Sequence, residues 1–317
     1  MNKQGKTANF FGKDICGVGV GGCHLNKDEV FSYAFENRNG PIVLDSGWGY
    51  TGTLVNTSFI GKFIKDKNRD DFVIIEKLPL FKKMYVEEFG KSLFEMSVEE
   101  MRPAIDKVIQ TQLQITGAKY FDAYLLHAIM DDQYSQNPEM EDIEAYKRIV
   151  QVLLEYKERG IIKHIGFSAH VGFLKLYHFC EEINKAFPKA LDVAEVAYNI
   201  LNDKGHTQKD PCYFAKQYGV MVWDAIGDEG IKYLKDNGYF VIDMMPHESG
   251  RIGQISTAED WFRWADRFVL NNKNIDVVLE GTSYIPHFQM MLEEAGVLKR
   301  DIQEMRDIEG ASHRCHE

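Results

Sequence analysis

The feature that most constrains this chain is a repeated alternation of short apolar runs with longer amphipathic stretches, the pattern of βα units around a parallel sheet. Gly17–Gly22, Ile42–Leu44, Phe72–Ile75, Phe121–Leu126, His164–Phe167, Val193–Ala197, Phe240–Met244 and Ile275–Leu279 read as eight strands. Between them, Val98–Leu113 and Glu144–Glu158 repeat their apolar positions three and four residues apart, as helices do. Gly160 stops the second of these in the C′ position. Eight such units close naturally into a (β/α)8 TIM barrel of the α/β class. No linker-like shift in composition interrupts the 317 residues, so a single domain is expected over 1–317.

A doubly wound open sheet is the competing architecture, and Gly17-Val-Gly-Val-Gly-Gly22 is its one supporter. Those glycines do not fit the dinucleotide fingerprint followed by a helix, because the chain runs on into Cys23-His24-Leu25 and an Asn-Lys-Asp turn. Two stretches exceed what a minimal barrel needs. The first, about 80–97, holds Phe81, Met84, Tyr85, Phe89 and Phe94 within Leu80–Met96; the second runs from Asn202 to Gly238 and includes the apolar Gly219–Ile226. Long insertions on a barrel serve as substrate-binding or interface elements, or as extra packing pieces.

Composition excludes several partners. A formal net charge of −11 offers no basic field to nucleic acid or to an anionic membrane surface. No apolar run approaches a membrane span and the first residues lack an export signal, so a cytoplasmic protein is expected. Cys16, Cys23, Cys180, Cys212 and Cys315 are odd in number and widely spaced, which suits reduced thiols better than disulfides. His313-Arg-Cys-His316 has soft-ligand types but too few of them for a zinc cage, and no metal is expected. A homo-oligomer is left open.

Polar residues that directly follow an apolar strand project into the active-site mouth of a barrel. Asp45 follows Ile42-Val-Leu44 and precedes Ser46-Gly-Trp-Gly-Tyr50; Lys77 follows Val73-Ile-Ile-Glu76; His127 follows Ala123-Tyr-Leu-Leu126. Together they make a coherent set. An adjacent ammonium stabilises a phenolate, so Lys77 can make the Tyr50 hydroxyl a better proton donor, with Asp45 as the counter-charge a buried lysine needs. An imidazole beside the phenol can orient a carbonyl oxygen. Taken singly each has a structural explanation: a turn cap, a snorkelling amine, a packed phenol, a satisfied core histidine.

On these residues the chain resembles the aldo-keto reductase family over most of its length. Asp45-x4-Tyr50 with Gly52 is similar to the family's D-x4-Y-G element, Ile74-Ile-Glu-Lys77 to its lysine strand, and Tyr120-Phe-Asp-Ala-Tyr-Leu-Leu-His127 to the strand ending in its histidine. Lys157-Glu-Arg-Gly-Ile-Ile-Lys-His-Ile-Gly-Phe-Ser168, Val196-Ala-Tyr-Asn199, and Met245-Pro246 with Gly250-Arg-Ile match later segments. The resemblance implies reduction of an aldehyde, ketone or sugar carbonyl by hydride from NAD or NADP. Tyr50 would donate the proton, Lys77 and Asp45 would tune it, His127 would orient the substrate, and Ser168 would hold the nicotinamide carboxamide. The Leu-Leu-His-Ala and Gly-Phe-Ser-Ala-His segments are nearest the branch that often carries an iron-sulfur C-terminal domain, whose cysteines this chain lacks.

Departures from the family pattern gather at the implied cofactor site. Glu195 stands for a glutamine facing the nicotinamide amide, and it can accept from that amide but not donate to it. Met244 replaces a stacking aromatic ring, and Glu248 in Pro246-His-Glu-Ser-Gly250 falls near the pyrophosphate. Gly281-Thr282-Ser283 can cradle a phosphate, but His287 replaces an arginine and Met290-Met291 replace polar contacts to adenine. The alternative readings are a barrel doing epimerisation, isomerisation or elimination without net redox, with Glu195 and His170 as added acid-base groups, and a non-catalytic regulatory subunit. Trp48 is the candidate wall for substrate; aromatics of Leu80–Phe94, and Tyr134, are candidates for the pocket or a subunit contact.

Overall fold

A computed structural model describes residues 5–22, 25, 29–48, 54–131, 142–207, 209–255 and 259–296. Among the described residues the strands are β1 (Thr7–Phe10), β2 (Lys13–Cys16), β3 (Val18–Gly21), β4 (Ile42–Asp45), β5 (Phe72–Leu78), β6 (Phe121–Leu126), β7 (Ile162–Ala169), β8 (Val193–Val196), β9 (Phe240–Asp243) and β10 (Val277–Glu280). All of the last eight are parallel to their neighbours and close into a barrel in the order β10-β3-β4-β5-β6-β7-β8-β9. Each expected strand is present, and the (β/α)8 barrel is the fold.

Side-chain alternation along these strands separates two apolar layers. Val43, Val73, Ile75, Ala123, Leu125, Val193, Ile242, Val277 and Leu279 fill the barrel interior. Phe72, Ile74, Leu78, Phe121, Tyr124, Leu126, Ile165, Phe167 and Val196 face out to the helical layer. The inward set has a period of two, so the next inward positions at the C-terminal strand ends are those that build the site.

The bottom of the barrel is plugged by a hairpin that the sequence reading did not anticipate. β1 pairs antiparallel with β2, with Ala8 opposite Ile15. Its turn has Phe11 and Gly12 both at positive φ (48° and 96°), the type I′ pattern that matches strand twist. Phe10 lies edge-on to Phe240 at 4.9 Å and to His164 at 5.3 Å, both near the N-terminal ends of barrel strands. Ala8, Phe10 and Ile15 thereby join the interior cluster and close the end away from the strand C-termini.

The helix expected at Val98–Leu113 spans Val98–Thr116, opened by a Ser97/Glu100 capping box and ended by Gly117 at φ 67°. The second runs Ile143–Glu158, and Gly160 takes φ 72° as a C′ glycine does. The first insertion forms the helix Lys82–Phe89 and a short turn, Leu93–Glu95, with Leu93, Phe94 and Met96 buried in the outer layer. The second forms helices Tyr213–Tyr218 and Gly227–Asp236 and builds its own apolar cluster, in which Ile200, Leu201, Cys212 and Val222 pack with Ile252 and Ala265. Cys16 and Cys180 are buried free thiols, and Cys212 is buried. Among the described residues no helix is long and apolar enough to cross a membrane.

Candidate active site

Alternation brings Asp45, Lys77, His127, Ser168, His170, Glu195, Met244 and Gly281 onto the inward side of their strands or one step past the strand ends. The register sets them at the same rim: Asp45 pairs across from Gly21 and Ile75, Lys77 from Leu125, and Ser168 from Glu195.

The Lys77 ammonium donates to the Asp45 carboxylate, stands 3.1 Å from Glu195 Oε1 and reaches the Ser46 carbonyl at 3.4 Å. All of these side chains are buried. Burial opposes a charged lysine, but its two acidic neighbours, Asp45 foremost and then Glu195, outweigh it and hold the Lys77 pKa above its ordinary value. Burial and the Asp45 charge push Glu195 up to about 8, so at neutral pH Glu195 keeps its proton. Glu76 points the other way, into the helical layer, where Gln112 Nε2 donates to it at 3.0 Å and burial pushes it up to about 8.

His127 is buried, and desolvation together with the Lys77 charge holds its pKa well below the usual histidine value. A neutral imidazole, with one donor and one acceptor nitrogen, is therefore what the cavity meets. The chain leaves His127 through Ala128 and Met130 at φ 54° and 56°, a conformation costly for non-glycine residues. Three hydrogen bonds hold it: Ala128 N–H to Ser168 Oγ (2.9 Å), Ile129 N–H to the Ser168 carbonyl (2.9 Å) and Met130 N–H to the Tyr146 hydroxyl (2.8 Å). Backbone strain is thus held in place beside the histidine.

A cavity of about 490 Å³ opens over this rim, a size suited to a small ligand. Of the residues singled out in the sequence, Asp45, His127, Ser168, Met244, Pro246, Gly281, Thr282 and His287 line it, as does His170. Lys77 and Glu195 sit behind Asp45, while Ser283 and Trp48 are half-buried and not on the described wall. Glu195 thus faces Lys77 instead of the cavity where the resemblance had put it. Tyr50, Gly52, Cys23, Cys315, Tyr134 and the 313–316 tail lie outside the described residues.

Glu248, expected near a pyrophosphate, is buried and turned away from the cavity. It accepts from Asn199 Nδ2 (2.6 Å), Asn202 Nδ2 (3.2 Å) and the Trp223 N–H (2.6 Å). Four lining residues escaped the sequence reading: Trp223, His247, Phe262 and Glu280. His247 lies between two acids, its Nε2 2.6 Å from Asp266 and its Nδ1 3.4 Å from Glu280. Burial opposes its charge, but the two carboxylates raise it to about 9, so it is an imidazolium; burial pushes Glu280 up to about 7. Glu280 was findable, because it follows Val277-Val-Leu279 as Asp45 follows its own strand. Trp223 carries no such signal, standing in an irregular segment of the second insertion.

A closed (β/α)8 barrel with a buried lysine–aspartate pair and a neutral histidine under a C-terminal cavity has its polar groups at the end where barrel enzymes hold their active sites. The aldo/keto reductase family profile matches residues 28–309, and the chain belongs to that family. It is an oxidoreductase of the aldo-keto reductase kind. Among solved structures, it is similar to the holo form of the aldo-keto reductase AKR11C1 from Bacillus halodurans (15% identity, TM-score 0.69, covering 99% of this chain and 98% of that one). It is also similar to the thermostable aldo-keto reductase Tm1743 in complex with the inhibitor epalrestat (19%, TM-score 0.62, 97% and 99%). A third is an aldo-keto reductase from Klebsiella pneumoniae in complex with NADPH (12%, TM-score 0.63, 96% and 94%). No curated protein matches the chain closely enough to count as a relative.

Proposed function

We propose that this protein reduces a small aldehyde, ketone or sugar carbonyl with a nicotinamide dinucleotide, and that Tyr50 gives the proton. The observation that carries the proposal is the buried Lys77–Asp45 pair directly under a cavity whose wall also holds neutral His127. An electropositive group beside a phenol lowers the energy of the phenolate left after proton transfer.

The residues present fit the dinucleotide. Gly21 and Gly281 both line the cavity and present bare backbone there as a cradle. Ser168, Met244 and Pro246 offer a polar contact and an apolar bed, and the inward turn of Glu248 removes its charge from the wall. On this reading Ser168 holds the carboxamide, Met244 lies against the nicotinamide, and Gly281 and Thr282 take phosphate oxygens. A nicotinamide bound there supplies hydride to the carbonyl carbon. His127 donates a hydrogen bond to the carbonyl oxygen, Tyr50 passes its proton to that oxygen, and Lys77 stabilises the phenolate, its own charge balanced by Asp45.

The preference between NAD and NADP follows from the same wall. Its described residues include no lysine or arginine, and the His247 imidazolium is already engaged by Asp266 and Glu280, so a 2′-phosphate has no guanidinium fork to pair with. Spectrophotometric assay of NADH and NADPH oxidation with a panel of aldehydes, ketones and aldoses tests the proposal. Net oxidation by at least one carbonyl is expected, with NADH accepted at least as well as NADPH; isomerisation or epimerisation without net oxidation would favour the acid-base alternative.

A further inference from the structure

Beyond the four residues of the proton-transfer set, two neighbouring rings on the cavity wall each carry a buried polar atom with no hydrogen-bond partner. His170 follows β7 on the inward period of Gly166 and Ser168, and its Nδ1 is buried without a hydrogen-bond partner. Trp223 lines the same cavity from the second insertion, and its indole Nε1 is likewise buried and unpartnered. The two rings lie 5.2 Å apart, tilted by 44°.

Trp223 is held where it is. Its backbone N–H donates to Glu248 Oε1 at 2.6 Å, and the Arg251 guanidinium sits 5.4 Å over its ring. Asp45 and His127 line the same cavity, which sets the pair on one wall with two residues of the proton-transfer set. An indole N–H can only donate, whereas a neutral imidazole nitrogen donates or accepts according to tautomer. Leaving both unpaired in a buried wall is costly, unless a ligand group completes them.

We infer that His170 and Trp223 form a subsite for a hydroxyl group close to the reacting carbonyl, and that the substrates are hydroxylated aldehydes or ketones. A hydroxyl donates once and accepts twice, so it satisfies the pair in either histidine tautomer. A methyl group in its place leaves both atoms unpaired, and sites built to bond a hydroxyl reject analogues lacking it far more strongly than apolar pockets reject a change of size. The inference rests on the carbonyl-reductase reading above and extends it to substrate class.

Three-carbon aldehydes isolate the effect: propanal, lactaldehyde and glyceraldehyde. For the wild type, kcat/KM for lactaldehyde is expected to exceed that for propanal by about tenfold or more. Trp223→Phe and His170→Phe each bring that ratio towards one, while the Kd of the cofactor, read by protein fluorescence, stays that of the wild type. Two different variants guard against one of them failing to fold. A wild-type ratio near one overturns the inference, as do variants that lower both substrates equally or weaken the cofactor instead. If no carbonyl oxidises the cofactor, the carbonyl-reductase reading fails by itself. The subsite is then judged by tryptophan fluorescence with 1,2-propanediol against 1-propanol: tighter binding of the diol, lost in both variants, supports it, and equal binding overturns it.

Discussion

Lys77 lies 3.1 Å from Glu195 while donating to Asp45, so one buried ammonium is shared by two carboxyl groups from strands on different sides of the barrel. Two charged acids would leave the trio net negative in a medium that disfavours charge. Glu195 therefore carries the proton near neutrality, its pKa pushed up to about 8 by burial and by Asp45. The folded-state value lies above the unfolded one, so the folded state binds more protons, and stability falls as pH rises from the unfolded Glu value through about 8.

Glu195→Gln imitates the protonated acid. At about pH 4, where the acid carries its proton folded or unfolded, its thermal midpoint should match the wild type to within the effect of about 1 kcal/mol, and it should lose less stability than the wild type as the pH rises from there through about 8. Calorimetric melts across that range measure both; a variant that is much less stable at low pH contradicts the protonated assignment.

Removing the cation is a different matter. Lys77→Met leaves Asp45 buried without its partner, a defect that typically costs about 3–5 kcal/mol. Denaturant titration should show a large loss of stability, and Lys77→Met combined with Asp45→Asn should recover much of it. A double variant no more stable than the single one would mean that the pair is not coupled.

His247 predicts a second alkaline weakness. Although burial alone would lower it, Asp266 and Glu280 raise its pKa to about 9. Its contribution is fully present below the ordinary histidine value and is lost as pH climbs through about 9. His247→Gln should be less stable than the wild type at about pH 6.5 and should converge with it above pH 9, as followed by thermal melts at each pH. A constant difference at every pH would count against an imidazolium there.

Glu248 ties the loop after β9 to the second insertion through Asn199, Asn202 and Trp223. Glu248→Ala orphans three buried donors and should destabilise by about 2–4 kcal/mol, as read by denaturant unfolding. Hydrogen exchange should rise in 199–226 and 244–252 before the barrel strands. Exchange that rises evenly through the protein would show that Glu248 is not a local anchor.

The architecture was legible because a barrel strand buries both faces, and eight apolar runs separated by amphipathic helices admit few closed arrangements. The same period of two carried Asp45, Lys77 and His127 to one rim. Local signals stop there. They do not say that Glu195, inward on β8 like Lys77 on β5, stays inside the barrel as the lysine's neighbour, because that depends on strand register and not on residue type. The β1–β2 plug was missed because its four-residue strands are half-exposed and carry no long apolar run. Trp223 meets His170 only through the packing of an irregular insertion on Glu248, a long-range contact with no trace in spacing.

The claim on which the account turns is that the Tyr50 hydroxyl gives up its proton at the Lys77–Asp45 rim. Single-turnover reduction of a reactive aldehyde by Tyr50→Phe, with cofactor affinity measured in parallel by fluorescence, tests it most directly. The expected result is a rate lower by about 100-fold or more with an unchanged cofactor Kd. A variant that reduces the aldehyde within about threefold of the wild-type rate would contradict the assignment, since so small a loss is less than any positioned proton donor contributes.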